Sequence, residues 1–296
     1  MNPIFDTLND RQCEAVKHTE GPLLITAGAG SGKTKVLTCR IAHLLELGVA
    51  PYRILAITFT NKAAKEMKER VTNLVGAQAD SIWLSTFHSF CAKLLRFEVD
   101  GFHGYTRNFT IYDSSDQLVL VKDCLKKLNL DDKQFTPRSV LGTISSAKNV
   151  LMDAKPLRRS SDFYEQKVAD VYAMYQEKLR ENNAVDFDDL LFLAVRLLQE
   201  NEEVREKYQS RFQYILVDEY QDTNHAQYAL TKILAARWRN ICVVGDATRV
   251  FTPGAVPISA TSSTSRGTTP MRRRSSWNRT TARRRLSSMR PMRHRQ

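Results

Sequence analysis

Five short apolar runs rich in β-branched residues punctuate the chain, at Pro22 to Thr26, Ile54 to Thr58, Ile82 to Leu84, Tyr214 to Val217 and Ile241 to Val244. Each is nearly continuous rather than alternating, the pattern of strands covered on both faces in a parallel sheet. Turns or helix-like stretches follow each run, so the pattern predicts an α/β domain. Between Asp113 and about Arg211 the period turns helical, as in QLVLVKDCLKKL and DFDDLLFLAVRLLQ, with Pro137 and Pro156 as breakers. This predicts an all-helical subdomain at 111–210, inserted into an α/β domain built from 1–110 and 211–247. After Asp246 the periodicity ends. Residues 248–296 are rich in Ser, Thr, Pro and Arg, bury too little apolar surface to offset ordering entropy, and read as a disordered tail.

Composition changes this picture only slightly. With 296 residues, 42% of them apolar, the chain can build one large core or two modest ones. No run approaches the roughly 18 apolar residues of a membrane helix. The start, MNPIFDTLNDRQ, lacks the basic-then-apolar order of a signal peptide, so a cytoplasmic protein is expected. Cys13, Cys39, Cys91, Cys124 and Cys242 form no CxxC pair and read as reduced thiols. The net charge of +12 invites a nucleic-acid reading until it is located. Of the 44 basic residues, 12 are arginines of 248–296, a segment without Lys, Asp or Glu; the 32 that remain balance 32 acidic residues. Bulk charge therefore says nothing about what the body binds.

The chemistry lies in motifs. The strand GPLLIT runs into AGAGSGKT, a phosphate-binding loop with Ala27 in place of the usual first glycine. Ala27, Gly28, Ala29, Gly30, Ser31 and Gly32 are small enough for backbone N–H groups to close around phosphates at a helix N-terminus. Lys33 is expected on the β and γ phosphates of ATP, and Thr34 on Mg²⁺. Downstream, FQYILVDEYQDTN delivers Asp218 and Glu219 at the C-terminal end of a strand, where open α/β sheets bind ligands. Asp218 suits the Mg²⁺ shell. Glu219 suits the orientation of an attacking water, since phosphoryl transfer rests on positioning and charge neutralisation.

Taken together, AGAGSGKT, ITFTNKAAKEM (Ile57 to Met67), STFHSF (Ser85 to Phe90), DFDDL (Asp186 to Leu190) and VDEYQDTN (Val217 to Asn224) resemble the successive motifs of superfamily 1 helicases of the UvrD/Rep/PcrA family. Their order and spacing match over residues 1 to about 247; NFTIYDSSDQ and GTISSAKN look nearest the PcrA branch. The resemblance implies a RecA-like P-loop NTPase fold, with Gln12 of LNDRQ recognising adenine. It places Thr58, Phe59, Thr60, Asn61 and Lys62, with Thr86, Phe87 and His88, along a single-stranded DNA path, and makes Gln221 and Asp222 coupling residues. Phe59, Phe87 and His88 offer stacking faces beside hydroxyl and amide donors for phosphates. Without the resemblance each aromatic reads as core. The implied activity is ATP-dependent 3′ to 5′ movement on single-stranded and 3′-tailed duplex DNA in repair or replication. Also implied is a second motor domain, supplying arginines to the transition state, without which this chain should not unwind DNA. Three alternatives share parts of the pattern: a nucleotide-dependent DNA-binding module without activity, a RecB- or AddA-like helicase–nuclease subunit, and a P-loop kinase that would leave ITFTNKAAKEM and VDEYQDTN idle.

The family pattern breaks after VVGDA, where a stretch like DQSIYxWRGAD is expected and TRVFTPGAVPIS stands. Read one base out of frame, codons permitted for Thr248 to Thr252 spell D-Q-S-I-Y. Pro253 to Ile258 can hide W-R-G-A-D, and Ser276 to Arg284 can hide L-E-Q-N-Y-R-S-T. The expectation is a single base lost after the Ala247 codon. The rival reading is a basic arm that binds nucleic acid.

Overall fold

The computed structural model describes residues 4–28 and 30–246, and the backbone of 261–264. In chain order the elements are α1 (Asp10–Lys17), β1 (Leu23–Thr26), α2 (Lys33–Glu46), β2 (Ile54–Thr58), α3 (Asn61–Val75), β3 (Trp83–Thr86) and α4 (Phe87–Glu98), then β4 (Thr110–Ile111), α5 (Ser114–Lys127), α6 (Pro137–Asn149), α7 (Ala154–Arg158), α8 (Phe163–Glu181) and β5 (Ala184–Val185). They continue with α9 (Phe187–Glu200), α10 (Glu202–Arg211), β6 (Tyr214–Val217), α11 (His225–Leu234), β7 (Ile241–Gly245) and β8 (Thr261–Thr264).

All five apolar runs are strands of one sheet, in the order β3-β2-β6-β7-β1-β8 with every pairing parallel. Their lack of alternation is explained by cover on both faces. Leu55, Ile57, Ile215, Val217 and Val243 point into a core shared with α4, α9, α10 and α11. Ile54, Ala56, Leu216, Cys242 and Val244, the intervening positions, point into a second core with α1, α2 and α3. Because every strand runs the same way, the loops after β1, β2, β3 and β6 all leave from one edge, and each carries a motif.

A third core joins α5, α6 and α8 to Ala184 of β5. The helical stretch thus divides: α9 and α10 bury their apolar residues in the core that α4 and α11 share with the sheet, not in the core of α5, α6 and α8. Pro137 starts a helix rather than breaking one. It occupies the first turn of α6 behind the Thr136 cap, where its missing N–H costs nothing. The pairing of β4 with β5 is two residues long, too short to leave a periodic trace.

The expected tail, 248–296, lies outside the described residues except for the backbone of Thr261–Thr264, which runs beside β1 with Thr261 opposite Leu23. Among the described residues no helix is long and apolar enough to cross a membrane.

Candidate nucleotide and DNA site

The chain leaves β1 through the glycine loop and enters α2 at Lys33, with Gly32 as N-cap at φ +84°. Two constraints demand glycine there. The left-handed backbone disfavours any Cβ, and one built at Gly32 would stand 3.1 Å from Gln12 Nε2. That amide is held firmly: Gln12 completes a capping box with Asn9 on α1, and its Nε2 donates to the Ser31 carbonyl at 3.0 Å. Ser31 Oγ donates to the Gly28 carbonyl at 2.7 Å, closing the loop on itself. Lys33 Nζ donates to the Ala27 carbonyl at 3.1 Å, folded back across the loop. Ala29 lies outside the described residues.

Across the edge, Thr34 Oγ1 donates to Asp218 Oδ2 at 3.3 Å, which joins the start of α2 to the end of β6. Burial raises the Asp218 pKa above the ordinary aspartate range, and the Glu219 carboxylate adds to this; the Glu219 N–H, the Thr34 hydroxyl and Lys33 oppose it. A hydroxyl and a desolvated carboxylate are hard oxygen donors, and the donor set fits Mg²⁺. Glu219 sits at φ +48°, a left-handed conformation that costs a non-glycine residue strain of a kind concentrated at functional sites. Gln221 Nε2 donates to Glu219 Oε2 at 2.6 Å, while Gln221 Oε1 accepts from the Asp246 N–H at 3.0 Å. Gln221 therefore ties the ends of β6 and β7, and Asp222 accepts from the same amide at 3.1 Å. A cavity of about 480 Å³ opens here between the glycine loop and Glu219, Gln221 and Asp222. Arg70 of α3 also lines it, a residue that sequence reasoning missed because it stands in no glycine- or acid-bearing motif.

At the other end of the edge, the loops after β2 and β3 carry the residues assigned to DNA, and the structure brings out only some of them. Thr60, Asn61 and Lys62 are exposed, and Phe59 and His88 are half-buried. Phe87 must be corrected: it is 1% exposed, packed edge-on against Phe59 at 5.5 Å, and belongs to the core rather than to a stacking surface. Thr58 and Thr86 are buried too, with hydroxyls committed locally. Thr58 Oγ1 donates to the Thr60 carbonyl, and Thr86 Oγ1 accepts from the Ser89 N–H as the cap of α4. These threonines shape the loops instead of facing a strand.

The aromatic surface comes from elsewhere. Phe187, the first residue of α9, is 54% exposed, and its ring lies 4.4 Å from that of His88 at an interplanar angle of 32°. Burial lowers the His88 pKa, with Asp188 opposing, which favours the neutral ring. The signal for Phe187 was present in DFDDL, but nothing local to that motif says that its phenylalanine faces His88.

A family model described as the UvrD/REP helicase N-terminal domain matches residues 8–249. The ATP-dependent DNA helicase PcrA of Bacillus subtilis (strain 168) is 58% identical over 247 residues, 83% of this chain and 33% of the relative. PcrA of Staphylococcus aureus (strain Mu50 / ATCC 700699) is 56% identical over 248 residues, 83% of this chain and 34% of the relative. PcrA of Staphylococcus epidermidis (strain ATCC 35984 and synonyms) gives the same identity and coverage. The chain spans about a third of the length of these relatives. A parallel sheet whose one edge carries a glycine loop, an acidic strand end and two loops beside an aromatic pair agrees with a match that covers most of the chain: the chain belongs to the UvrD/REP helicase N-terminal domain family.

Proposed function

We propose that this protein supplies the nucleotide-binding part of an ATP-dependent DNA helicase, taking up ATP with Mg²⁺ at one end of the sheet edge and single-stranded DNA at the other. The observation that carries the reading is the placement of Lys33, Thr34, Asp218 and Glu219 on the same edge as His88 and Phe187, with Gln221 bridging β6 and β7. The N–H groups of Gly28 and of Gly30 to Thr34, with the Lys33 ammonium, hold the triphosphate; Gln12 positions the adenine. Thr34 and Asp218 hold the Mg²⁺, which neutralises phosphate charge when bound. Glu219 orients the attacking water, and Gln221 fixes the carboxylate that does so. Thr60, Asn61 and Lys62 meet the DNA backbone, and His88 and Phe187 meet its bases. Unwinding of 3′-tailed duplex in the 3′ to 5′ direction, a role in repair or replication, and a cytoplasmic location belong to the same proposal. So does a division into a RecA-like unit and an inserted helical subdomain, with α9 and α10 assigned to the former and the second boundary moved to about Asp186.

Titration with a fluorescent ATP analogue and Mg²⁺, and separately with labelled oligo-dT, tests the reading. Both should bind, Lys33→Ala should remove the first, and Phe187→Ala should weaken the second. A chain that binds nucleotide but shows no affinity for oligo-dT would instead favour the P-loop kinase. The family match ends at residue 249, which supports an out-of-frame origin for the residues from Thr248 onward. Resequencing across codon 247 tests that: an intact frame there would remove it.

A further inference from the structure

A buried ionic cluster that neither proposed site uses joins α6 to the start of α9. Lys148, in the last turn of α6, is 1% exposed; its Nζ donates to Asp186 Oδ2 at 2.6 Å and lies 2.7 Å from Asp189 Oδ1. Tyr175 OH donates to Asp186 Oδ2 at 2.9 Å, and Gln176 Nε2 donates to Asp189 Oδ1 at 3.1 Å. A buried ammonium held by two carboxylates cannot slide without stripping partners from a charge that has no water to turn to. The end of α6 is thereby pinned to the start of α9.

The neighbours of Lys148 reach in opposite directions. Asn149 Oδ1 accepts from Asn224 Nδ2 at 2.5 Å, and Asn224 caps α11 directly after the turn that holds Glu219 and Gln221. On the other side, Asp186, the carboxylate that Lys148 holds, caps α9, whose first residue is Phe187. One helical turn thus touches the segment after the nucleotide carboxylates and the segment that presents the aromatic pair.

We propose that this turn, Ser145 to Asn149, is a positioning strut that couples occupancy of the nucleotide site to the conformation of the DNA-facing pair His88 and Phe187. Lys148 anchors it, and the Asn149–Asn224 hydrogen bond passes displacement of the turn after Glu219 into α6. The inference rests on the proposed function. Coupling of this kind is reciprocal: whatever factor nucleotide applies to DNA affinity, DNA applies to nucleotide affinity.

The test uses the full 296-residue chain, a fluorescent ATP analogue with Mg²⁺, and labelled oligo-dT, each titrated alone and with the other saturating. Two variants cut the link without touching either site. Asn149→Ala removes the acceptor, and Asn224→Ser removes the donor while keeping a cap oxygen for α11. Each should leave the separate affinities within about twofold and lower the coupling factor by about fivefold or more, the scale of ordinary coupling between sites. The double variant should lose no more than either single one, since both delete one contact. Unchanged coupling in both variants, or losses that add, overturns the strut. Parallel loss of Tm and of both separate affinities gives the turn a structural role and overturns it equally. A wild-type chain that binds neither probe defeats the proposed function; one that binds both without mutual effect defeats the strut alone.

Discussion

The two ends of the sheet edge are built differently. At the end proposed for nucleotide, one contiguous loop carries most of the candidate residues: Gly32 sets the backbone, Gln12 braces it, and Thr34 reaches Asp218 across the edge. At the end proposed for DNA, the contiguous segments mostly serve themselves. Thr58 and Thr86 spend their hydroxyls on their own turns, Phe87 is core, and the exposed aromatic face is completed by Phe187 from a helix far along the chain. A phosphate is a compact, multiply charged group that a single backbone loop can surround. A nucleic-acid strand is an extended ligand, so a surface for one can be assembled from separate elements that share only a sheet edge.

Substitutions sharpen this contrast, beginning with the largest effect. Phe87→Ala should cost about 3–5 kcal/mol of stability, the scale for emptying a buried aromatic site. Urea unfolding reads it as a lower midpoint with an unchanged slope; an undiminished midpoint would return Phe87 to the DNA surface. Lys148→Ala leaves two carboxylates buried without their cation and should likewise cost about 3–5 kcal/mol. At the nucleotide end, Lys33→Ala should weaken binding of the ATP analogue by at least about tenfold, since a charge-assisted hydrogen bond contributes about 1.5–3 kcal/mol. Its Tm should hardly change, because the ammonium's partner here is the half-exposed Ala27 carbonyl. Phe187→Ala should leave stability nearly intact and reduce oligo-dT affinity by about 1–3 kcal/mol, the usual contribution of one stacking residue. Loss of stability without loss of affinity would make Phe187 a packing residue and erase the contrast with Phe87.

These outcomes bear on what a sequence can show. The five strands were legible because β-branched runs without alternation have few other uses, and the glycine loop was legible because its constraints are local. The division of the helices between two cores was not. DFDDLLFLAVRLLQ announces a helix, but its apolar face does not say whether α9 packs on the sheet or on α8, and the answer comes from Leu190, Ala194 and Leu197 lying with Phe90 and Leu94. For the same reason Phe59, Phe87 and His88 looked alike as aromatics in polar loops, and only the direction in which α4 starts sorts core from surface. Arg70 was hidden because it stands on α3 apart from every motif, and only the fold brings it to the wall of the cavity beside Glu219.

The smallest expected effect concerns pH and separates the two ends by charge. Burial raises the pKa of Asp218 in the folded chain, so the fold favours its protonated form. The contribution of this group to stability is therefore fully present below the unfolded pKa and fades as pH rises through the raised folded value. Relative to Asp218→Asn, whose side chain has no charge to desolvate, the nucleotide-free wild type should lose Tm as pH climbs out of the ordinary aspartate range and should match the variant in acid. Mg²⁺-dependent nucleotide binding needs the carboxylate and must run the other way, weakening on acidification at a pH above that expected of an unperturbed aspartate. At the DNA end, burial lowers the His88 pKa, so oligo-dT binding should hold flat across the interval where an ordinary histidine would take up charge. Opposite slopes for Tm and nucleotide affinity, beside a flat profile for DNA, would show that desolvation of one strand-end carboxylate is the price of a cation site; parallel slopes would mean that the fold favours the charged form of Asp218, against the desolvation argument.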